Sequence, residues 1–104
     1  NISPSKIENI LCLNQFIDQS FVYGDKKNYL VALIVSKEEI KEEKIKLIVK
    51  NINENLTIIE KIKKFIIIDS EFTIDNGMLT PTLKIKRKEI IKNYKEQLEN
   101  LYLN

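Results

Sequence analysis

The six residues from Leu30 to Val35, LVALIV, form the longest unbroken apolar run of this 104-residue chain. A membrane-spanning helix needs about 20 apolar residues, so the run is too short to be one. A short apolar run between turn signals is typical of a strand that is buried on both faces. We therefore predict a strand over Tyr29–Ser36. Its antiparallel partner is predicted at Phe16–Tyr23, joined to it by the polar loop Gly24–Asn28.

Two helical patterns flank this predicted hairpin. Ser3-Pro4 is a helix-start signal, with the serine as N-cap, and it predicts a helix from residue 4 to about residue 13. A second helix is predicted to open at residue 36 or 37, with Glu38 and Glu39 in its first turn, where acidic side chains are favoured. The apolar stripe of this second helix consists of Ile45, Ile48, Val49 and Ile52.

The C-terminal half adds a strand, a hairpin and a long helix to the prediction. A short helix over Leu56–Lys63 leads into a strand over Lys64–Asp69. Asp75-Asn76-Gly77 is a hairpin-turn signal because Asn-Gly tolerates positive φ, and we expect Phe72–Ile74 to pair across it with Met78–Thr80. From Lys86 onward one apolar helical face is formed by Ile90, Ile91, Tyr94, Leu98, Leu101 and Tyr102. The predicted fold is α+β: a small sheet of about three strands plus a short β-hairpin, covered by helices and ending in a long C-terminal helix.

Residue types that are rare or missing limit the kinds of catalysis and metal binding that the chain can support. The chain has no histidine, which excludes imidazole acid–base catalysis and the most common metal ligand. Cys12 is the only cysteine, so there is no internal disulfide and no thiolate metal cluster, and its apolar neighbours indicate a small buried side chain. The net charge of +2 argues against a dedicated nucleic-acid binder. We expect neither a nucleic-acid partner nor a metal site.

The segment from Asn76 to Arg87, NGMLTPTLKIKR, gathers rare residues around Lys84. Pro81 stiffens the Thr80–Thr82 connector, which places this lysine between an extended segment and the last helix. Three more cations follow at residues 86–88, although a helix N-terminus disfavours cations. The residues alone leave two main interpretations open, a solvated basic turn and a site that binds phosphate or carboxylate. A nucleic-acid contact is a third, but it is disfavoured because no aromatic residues are interleaved with the basic ones, and Tyr94 and Tyr102 belong to the apolar stripe. A lone lysine cannot run a reaction, but it can stabilise developing negative charge in a site that another domain completes.

Three stretches of the chain are similar to one known family. NISPSKIENIL at the start and FTIDNGMLTPTLKIKRKEIIKNYKEQLENLY at the end resemble the C-terminal domain of long-chain acyl-CoA synthetases, which are AMP-forming fatty-acid–CoA ligases of the adenylate-forming superfamily. QSFVYGDKKNYLVALIV resembles the hairpin that follows the first helix of that domain. The resemblance therefore extends from residue 1 to about residue 102. Thr82-Leu83 stands where most of the superfamily has Ser-Gly, and long-chain-type members share this Thr-Leu pair.

The resemblance implies that residues 1–104 are the mobile C-terminal lid of a two-domain enzyme. The chain opens without an initiator methionine, which agrees with a piece of a longer protein. A large N-terminal AMP-binding domain would bind ATP, Mg²⁺ and the fatty acid, and would read the type and length of the acid. The lid would take one pose for acyl-adenylate formation and a second pose for transfer to coenzyme A. We expect the lid alone to be inactive and to hold none of these ligands.

The same resemblance suggests roles for individual residues. By motif match, Lys84 corresponds to the catalytic lysine of the family, which contacts the substrate carboxylate and the phosphate region of the nucleotide during adenylation. Asn1 and Ser3 belong to what remains of a loop of the coenzyme A tunnel and are candidate coenzyme A contacts. Lys86 and Arg87 are candidates either for contacts with phosphate groups or for orienting the lid against its partner domain.

Two other functions remain open from the sequence. One is a free-standing anion-binding or protein-interaction module, and the other is the lid of an AMP-forming ligase for a different carboxylic acid. An AMP-binding domain upstream in the open reading frame would separate the lid from the free-standing module. We expect a cytoplasmic protein of fatty-acid metabolism without a transmembrane segment, and the family is compatible with peripheral association of the full enzyme with the inner face of a membrane.

Overall fold

Three strands, β1 (Ile17–Tyr23), β2 (Leu30–Ser36) and β3 (Ile62–Ile67), form a mixed sheet in the order β1-β2-β3. The computed structural model describes residues 2–103, and the chain divides into two units, Asn1–Asp69 and Ser70–Asn104; the sheet belongs to the first unit. β1 and β2 pair antiparallel, as predicted, whereas β2 and β3 pair parallel. β2 is thus the central strand, and all of its residues except Ser36 are buried, as the apolar run predicted.

Two helices, α1 (Pro4–Cys12) and α2 (Glu42–Asn53), share one hydrophobic core with the sheet. Ser3 caps α1 as predicted: its hydroxyl oxygen accepts a hydrogen bond from the Lys6 backbone N–H at 3.4 Å. The predicted stripe of α2 is the face that this helix turns to the core. The buried members of the core are Ile7, Leu11, Ile17, Val22, Leu30, Ala32, Ile34, Ile45, Ile48, Val49 and Ile62.

Glu8 is one of the few buried polar residues, at 5% exposure, and it ties α1 to β1. Its carboxylate Oε2 accepts a hydrogen bond from the Val22 backbone N–H at 2.7 Å. Its backbone carbonyl accepts another from the Ser20 hydroxyl at 3.2 Å. β1 is an edge strand, and the carboxylate supplies an acceptor for one of its backbone N–H groups. Glu8 therefore has a structural role.

The structure corrects the predictions made for the start of α2 and for Cys12. The second helix begins at Glu42 and not at residue 36 or 37, because Glu39 has a left-handed φ of 59° that no α-helix accommodates. Glu42 and Glu43, not Glu38 and Glu39, occupy its first turn. Cys12 is exposed, not buried, and its Sγ lies 3.3 Å from the Ser20 Oγ.

The predicted helix over Leu56–Lys63 is also wrong. Only a single 3-10 turn forms there, at Ile58–Glu60, and the chain is extended again by Ile62. The Asn53 side chain explains the early start of β3, since its amide donates to the Ile62 carbonyl at 2.8 Å and its oxygen accepts from the Ile62 N–H at 2.9 Å. This pair of bonds joins the end of α2 to the start of the strand.

The second unit ends in the helix α3 (Arg87–Asn100). Its predicted apolar face is confirmed at Ile90 and Leu98, which are buried. Tyr94 interrupts the helical geometry at φ −119° and ψ 20°. We attribute this kink to Asn93, whose side-chain amide donates to the Glu89 carbonyl at 2.7 Å and competes with the backbone ladder.

The α+β class predicted from the sequence is confirmed, with three helices, a three-stranded mixed sheet and a C-terminal helix among residues 2–103. The short hairpin exists but is displaced along the chain. Phe72–Ile74 and Met78–Thr80 do not form strands; the isolated antiparallel bridge of the second unit joins Leu79 to Ile85. Within the described residues, no helix is both long enough and apolar enough to cross a membrane.

Candidate functional site

A short hairpin loop at residues 79–85 presents Lys84 at the surface of the second unit. The Leu79–Ile85 bridge closes the loop, and the Thr80 N–H donates to the Lys84 carbonyl at 2.8 Å. The Lys86 N–H donates to the Met78 carbonyl at 2.9 Å, one step further from the tip. Lys84 is thus fixed at its backbone while its side chain is exposed.

The tip of this loop is a tight turn followed by one left-handed residue. The Leu83 N–H donates to the Thr80 carbonyl at 2.8 Å, so residues 80–83 form a β-turn with Pro81 in the position that suits its fixed φ. Leu83 then has a φ of +64°. A β-turn followed by a left-handed residue that forms a bulge is a common way to build a three-residue hairpin loop.

Threonine hydroxyls hold the backbone of the tip. Thr80 Oγ1 accepts a hydrogen bond from the Lys84 N–H at 3.1 Å, and it lies 3.1 Å from Thr82 Oγ1. These bonds give Lys84 a fixed starting point, although none of them engages its ammonium. The Thr-Pro-Thr connector predicted from the sequence forms a hydrogen-bonded turn, and its hydroxyls bond to the backbone and to each other.

Asn76 organises the turn that precedes the loop. Its side-chain oxygen accepts hydrogen bonds from the Thr73 N–H at 3.0 Å and the Met78 N–H at 3.1 Å, while its amide donates to the Glu71 carbonyl at 2.9 Å. Its own N–H donates to the Thr73 hydroxyl at 3.0 Å. Gly77 follows at a φ of +81°, which confirms the turn predicted from Asn-Gly. The sequence signalled this turn but not the number of bonds that Asn76 forms.

The cations that follow Lys84 lie at the start of α3. Lys86 is the N-cap residue, and its side chain forms no capping hydrogen bond. Lys86 and Lys88 are exposed, whereas Arg87 is half-buried and has interactions of its own. Among residues 2–103, the ammonium groups of Lys84, Lys86 and Lys88 form no ion pair. The basic segment and the N–H groups of the first helical turn together make this surface attractive to anions.

The structure brings together some of the predicted site residues but not all. Lys84, Lys86 and Arg87 lie in one loop-helix junction of the second unit. Ser3 lies in the first unit, where its hydroxyl caps α1. Asn1 lies outside the described residues. Sequence reasoning singled out the Thr80–Thr82 connector but missed the left-handed conformation of Leu83, for which the residue type gives no signal.

Among residues 2–103, no three histidine, cysteine, aspartate or glutamate side chains lie close enough to hold a metal ion. The side chains of the Lys84 loop are cationic, hydroxylic or apolar, so this donor set does not fit Mg²⁺, which prefers carboxylate oxygens. Lys84 could offset negative charge on a ligand that another part of the protein positions.

The profile of the AMP-binding enzyme C-terminal domain matches residues 1–104, which is the whole chain. The chain belongs to this family. The resemblance seen in the sequence is thereby confirmed, and this AMP-binding enzyme C-terminal domain has the mixed sheet, the two packed helices and the Lys84 loop described above.

Similar proteins include enzymes that activate fatty acids. The domain is 32% identical to long-chain-fatty-acid–CoA ligase 6 of Mus musculus, covering 98% of this chain and 18% of that protein. It is 31% identical to the chloroplastic long-chain-fatty-acid–[acyl-carrier-protein] ligase AEE15 of Arabidopsis thaliana, over 98% of this chain and 15% of that protein. The chain thus spans about a sixth of the length of the curated relatives that it matches.

A solved structure shows the same architecture. The A-PCP didomain of a carboxylic acid reductase from Segniliparus rugosus, in complex with AMP, superimposes with a TM-score of 0.86 at 29% identity. The match covers 97% of this chain and 16% of the reductase chain. The fold of the domain is therefore one that occurs in adenylate-forming enzymes.

Proposed function

We propose that this domain is the mobile lid of an AMP-forming ligase for long-chain fatty acids, and that Lys84 takes part in the adenylation step. In the full-length enzyme, a large N-terminal domain binds ATP, Mg²⁺ and the fatty acid. The lid brings Lys84 to the reacting groups for adenylation and then reorients for transfer of the acyl group to coenzyme A. The lid alone has no activity, because the sites for ATP and the acid are on the other domain.

The observation that carries the proposal is the way in which the loop presents Lys84. The backbone of the residue is held by the Leu79–Ile85 bridge and by Thr80, while its ammonium has no ion pair among residues 2–103. A cation that is positioned but uncompensated is suited to an anionic partner. The family match over the whole chain and the fatty-acid ligases among the relatives support the identity of that partner.

The chemistry of adenylation needs a cation of this kind. A fatty-acid carboxylate attacks the α-phosphorus of ATP, so two anions approach each other, and pyrophosphate leaves. An ammonium between carboxylate and phosphate reduces their repulsion and stabilises the charge that develops in the transition state. Lysine suits a residue that arrives with a moving domain, because its stem is long and its charge is compact.

The test is the Lys84→Ala variant of the full-length enzyme, assayed separately in the two half-reactions. We expect pyrophosphate release from ATP and fatty acid to fall by at least about a hundredfold, since removing one preorganised charge from a transition state has effects of that size. Thioester formation from supplied acyl-adenylate should keep most of its rate. Lys92→Ala, an exposed lysine further along α3, is the matched control and should retain both activities. Adenylation by Lys84→Ala near the wild-type rate would contradict the role of Lys84.

The other candidate contacts are expected to contribute less to the reaction than Lys84, and the KM and kcat values of variants test them. We propose that Lys86 and Arg87 contact phosphate groups of the nucleotide or orient the lid, and that Asn1 and Ser3 lie near coenzyme A. Phosphate contact predicts that Lys86→Ala raises the KM for ATP by a few-fold with little change in the KM for the fatty acid. A role in orienting the lid predicts instead a lower kcat at unchanged KM values.

The acid and the acceptor are determined by assays of the full-length enzyme. Pyrophosphate release across a panel of carboxylic acids identifies the acid. The same panel with coenzyme A or with an acyl carrier protein identifies the acceptor, because relatives of both kinds exist. Preference for a short or aromatic acid would replace the long-chain assignment and leave the lid and Lys84 in place.

A further inference from the structure

Leu83 combines two unfavourable features at the tip of the Lys84 loop. Its φ of +64° lies in the left-handed region, which a bulky side chain rarely adopts. Its side chain is 67% exposed, so this backbone strain is not compensated by burial. The other described residues with positive φ are Lys26, Glu39 and two glycines. Leu83 is the apolar residue among these positions.

The loop itself does not explain the leucine. The left-handed position after a three-residue turn is best filled by glycine, which adopts positive φ without a steric penalty, and asparagine is the next choice. The hydrogen bonds that shape the tip use the Leu83 N–H and the Thr80 groups, which any non-proline residue at position 83 would leave intact. The stability of the loop alone would therefore favour glycine or asparagine at position 83.

We propose that Leu83 is a positioning residue for Lys84: in the adenylation pose its side chain packs against an apolar surface of the large N-terminal domain and holds the loop, and with it the Lys84 ammonium, at the reacting groups. This inference rests on the proposed function. The proposed occupant is the N-terminal domain of the proposed full-length enzyme, because the curated relatives are about six times as long as this chain and Leu83 immediately precedes Lys84. Strain that persists next to a functional group is a recognised sign of a functional constraint.

A contact made in one pose only has a distinctive kinetic effect. It stabilises the closed state in which adenylation takes place, so its loss lowers kcat for that half-reaction and leaves the KM of the fatty acid unchanged. The thioester half-reaction uses the other pose and does not depend on the contact. Loss of an ordinary structural residue would instead lower the stability and affect both half-reactions together.

The experiment compares three variants at residue 83. Leu83→Gly removes both the side chain and the strain, Leu83→Asn keeps a side chain that tolerates positive φ but is polar, and Leu83→Met keeps an apolar side chain. We expect the Gly and Asn variants of the 104-residue chain to unfold at the same urea concentration as the wild type or at a higher one. In the full-length enzyme both should adenylate about tenfold more slowly or worse, while Leu83→Met stays within about threefold of the wild type.

The other outcomes overturn the inference in separate ways. Full adenylation activity of both the Gly and the Asn variant would show that the leucine is dispensable. Loss of activity in Gly alone would indicate that only loop rigidity matters, and a raised KM that depends on acyl length would place Leu83 against the fatty acid. Lys84→Ala is measured in parallel, so an effect of Lys84→Ala without any effect at residue 83 refutes this inference alone. Adenylation that survives Lys84→Ala refutes the proposed function itself.

Discussion

The two units of the chain are stabilised in different ways. Among the described residues, 15 of the 19 buried apolar side chains lie in the first unit, and the second unit contributes Phe72, Met78, Ile90 and Leu98. The first unit is organised around a continuous core between a sheet and two helices. The loops of the second unit are instead shaped by side-chain hydrogen bonds from Asn76 and Thr80 to the backbone.

Because of this difference, the buried core stabilises the first unit, while the second unit can expose the Lys84 side chain. A residue in the core is held because it is buried, so it cannot also reach a ligand. Hydrogen bonds between short polar side chains and the backbone fix a loop without burying it, because they are local and satisfy the groups that the turn leaves unpaired. The second unit can therefore hold the backbone of Lys84 in one conformation and leave its ammonium in solvent.

The largest effect is expected in the core of the first unit. Ile34 has no exposed surface and lies in the central strand, so Ile34→Ala should destabilise the chain by about 2–5 kcal/mol through lost burial and the cavity that remains. Leu47→Ala, at a side chain that is 60% exposed on α2, is the control and should change stability by less than about 0.5 kcal/mol. Urea unfolding of the 104-residue chain measures both. Equal losses would show that the core does not dominate the first unit.

The buried carboxylate of Glu8 tests whether the first unit also relies on a polar contact. Glu8→Ala leaves the buried Val22 N–H without this acceptor and should cost about 1–3 kcal/mol. Glu8→Gln keeps an acceptor oxygen at a similar position and should lose clearly less. The same unfolding assay compares the two variants. A Gln variant as unstable as the Ala variant would mean that the charge, and not the hydrogen bond, is what matters.

Asn76 tests the polar organisation of the second unit. Asn76→Ala removes the acceptor for two backbone N–H groups and should cost about 1–2 kcal/mol locally. We expect hydrogen exchange to accelerate at the Thr73 and Met78 amides and to stay unchanged in β2. Asp75→Ala, an exposed neighbour in the same turn, is the control. Faster exchange in β2 as well would show that the second unit is not locally organised by Asn76.

The smallest effect concerns the pH dependence of the 3-10 turn. The pKa of Glu60 is lowered by the hydrogen bond from the Thr57 backbone N–H, then by that from the Thr57 hydroxyl, with Lys6 adding to both. A carboxyl whose pKa is lowered in the folded state stabilises the fold above its unfolded pKa, and this contribution is lost as the pH falls through the folded value. The stability of Glu60→Gln should therefore approach that of the wild type in acid. A difference that stays constant from neutral to acidic pH would contradict the linkage.

Apolar patterns predicted the elements whose burial is regular: an unbroken run predicted the central strand, and helical periodicity predicted the apolar faces of α2 and α3. The central strand, the stripe of α2 and the apolar face of α3 were recoverable because burial repeats along each of them. The predictions from the sequence were wrong where a single local contact determines the structure. The left-handed φ of Glu39 delays α2, the amide of Asn53 draws Ile62 into β3, and Asn93 kinks α3. Such contacts depend on geometry that a pattern of apolar residues does not encode.

In the candidate site, too, some features were predictable from the sequence and others depend on local contacts. The Asn-Gly turn and the Thr-Pro-Thr connector identified Lys84, but the bridge that closes its loop falls at Leu79–Ile85, further along the chain than predicted. Across Gly77 the Met78 and Leu79 N–H groups both donate to the Thr73 carbonyl, while the Thr73 N–H donates to the Asn76 side chain, so these groups form a turn and not a strand ladder. The left-handed Leu83 could not be predicted, since its residue type argues against that conformation.

We propose that the second unit presents Lys84 for adenylation only. Single-turnover kinetics of the full-length enzyme test it directly, by comparing the loss of rate that Lys84→Ala causes in acyl-adenylate formation with the loss in thioester formation from supplied acyl-adenylate. We expect a loss of at least about a hundredfold in the first step and a loss within a few-fold in the second. Equal losses in both steps, or no loss in the first, would contradict it.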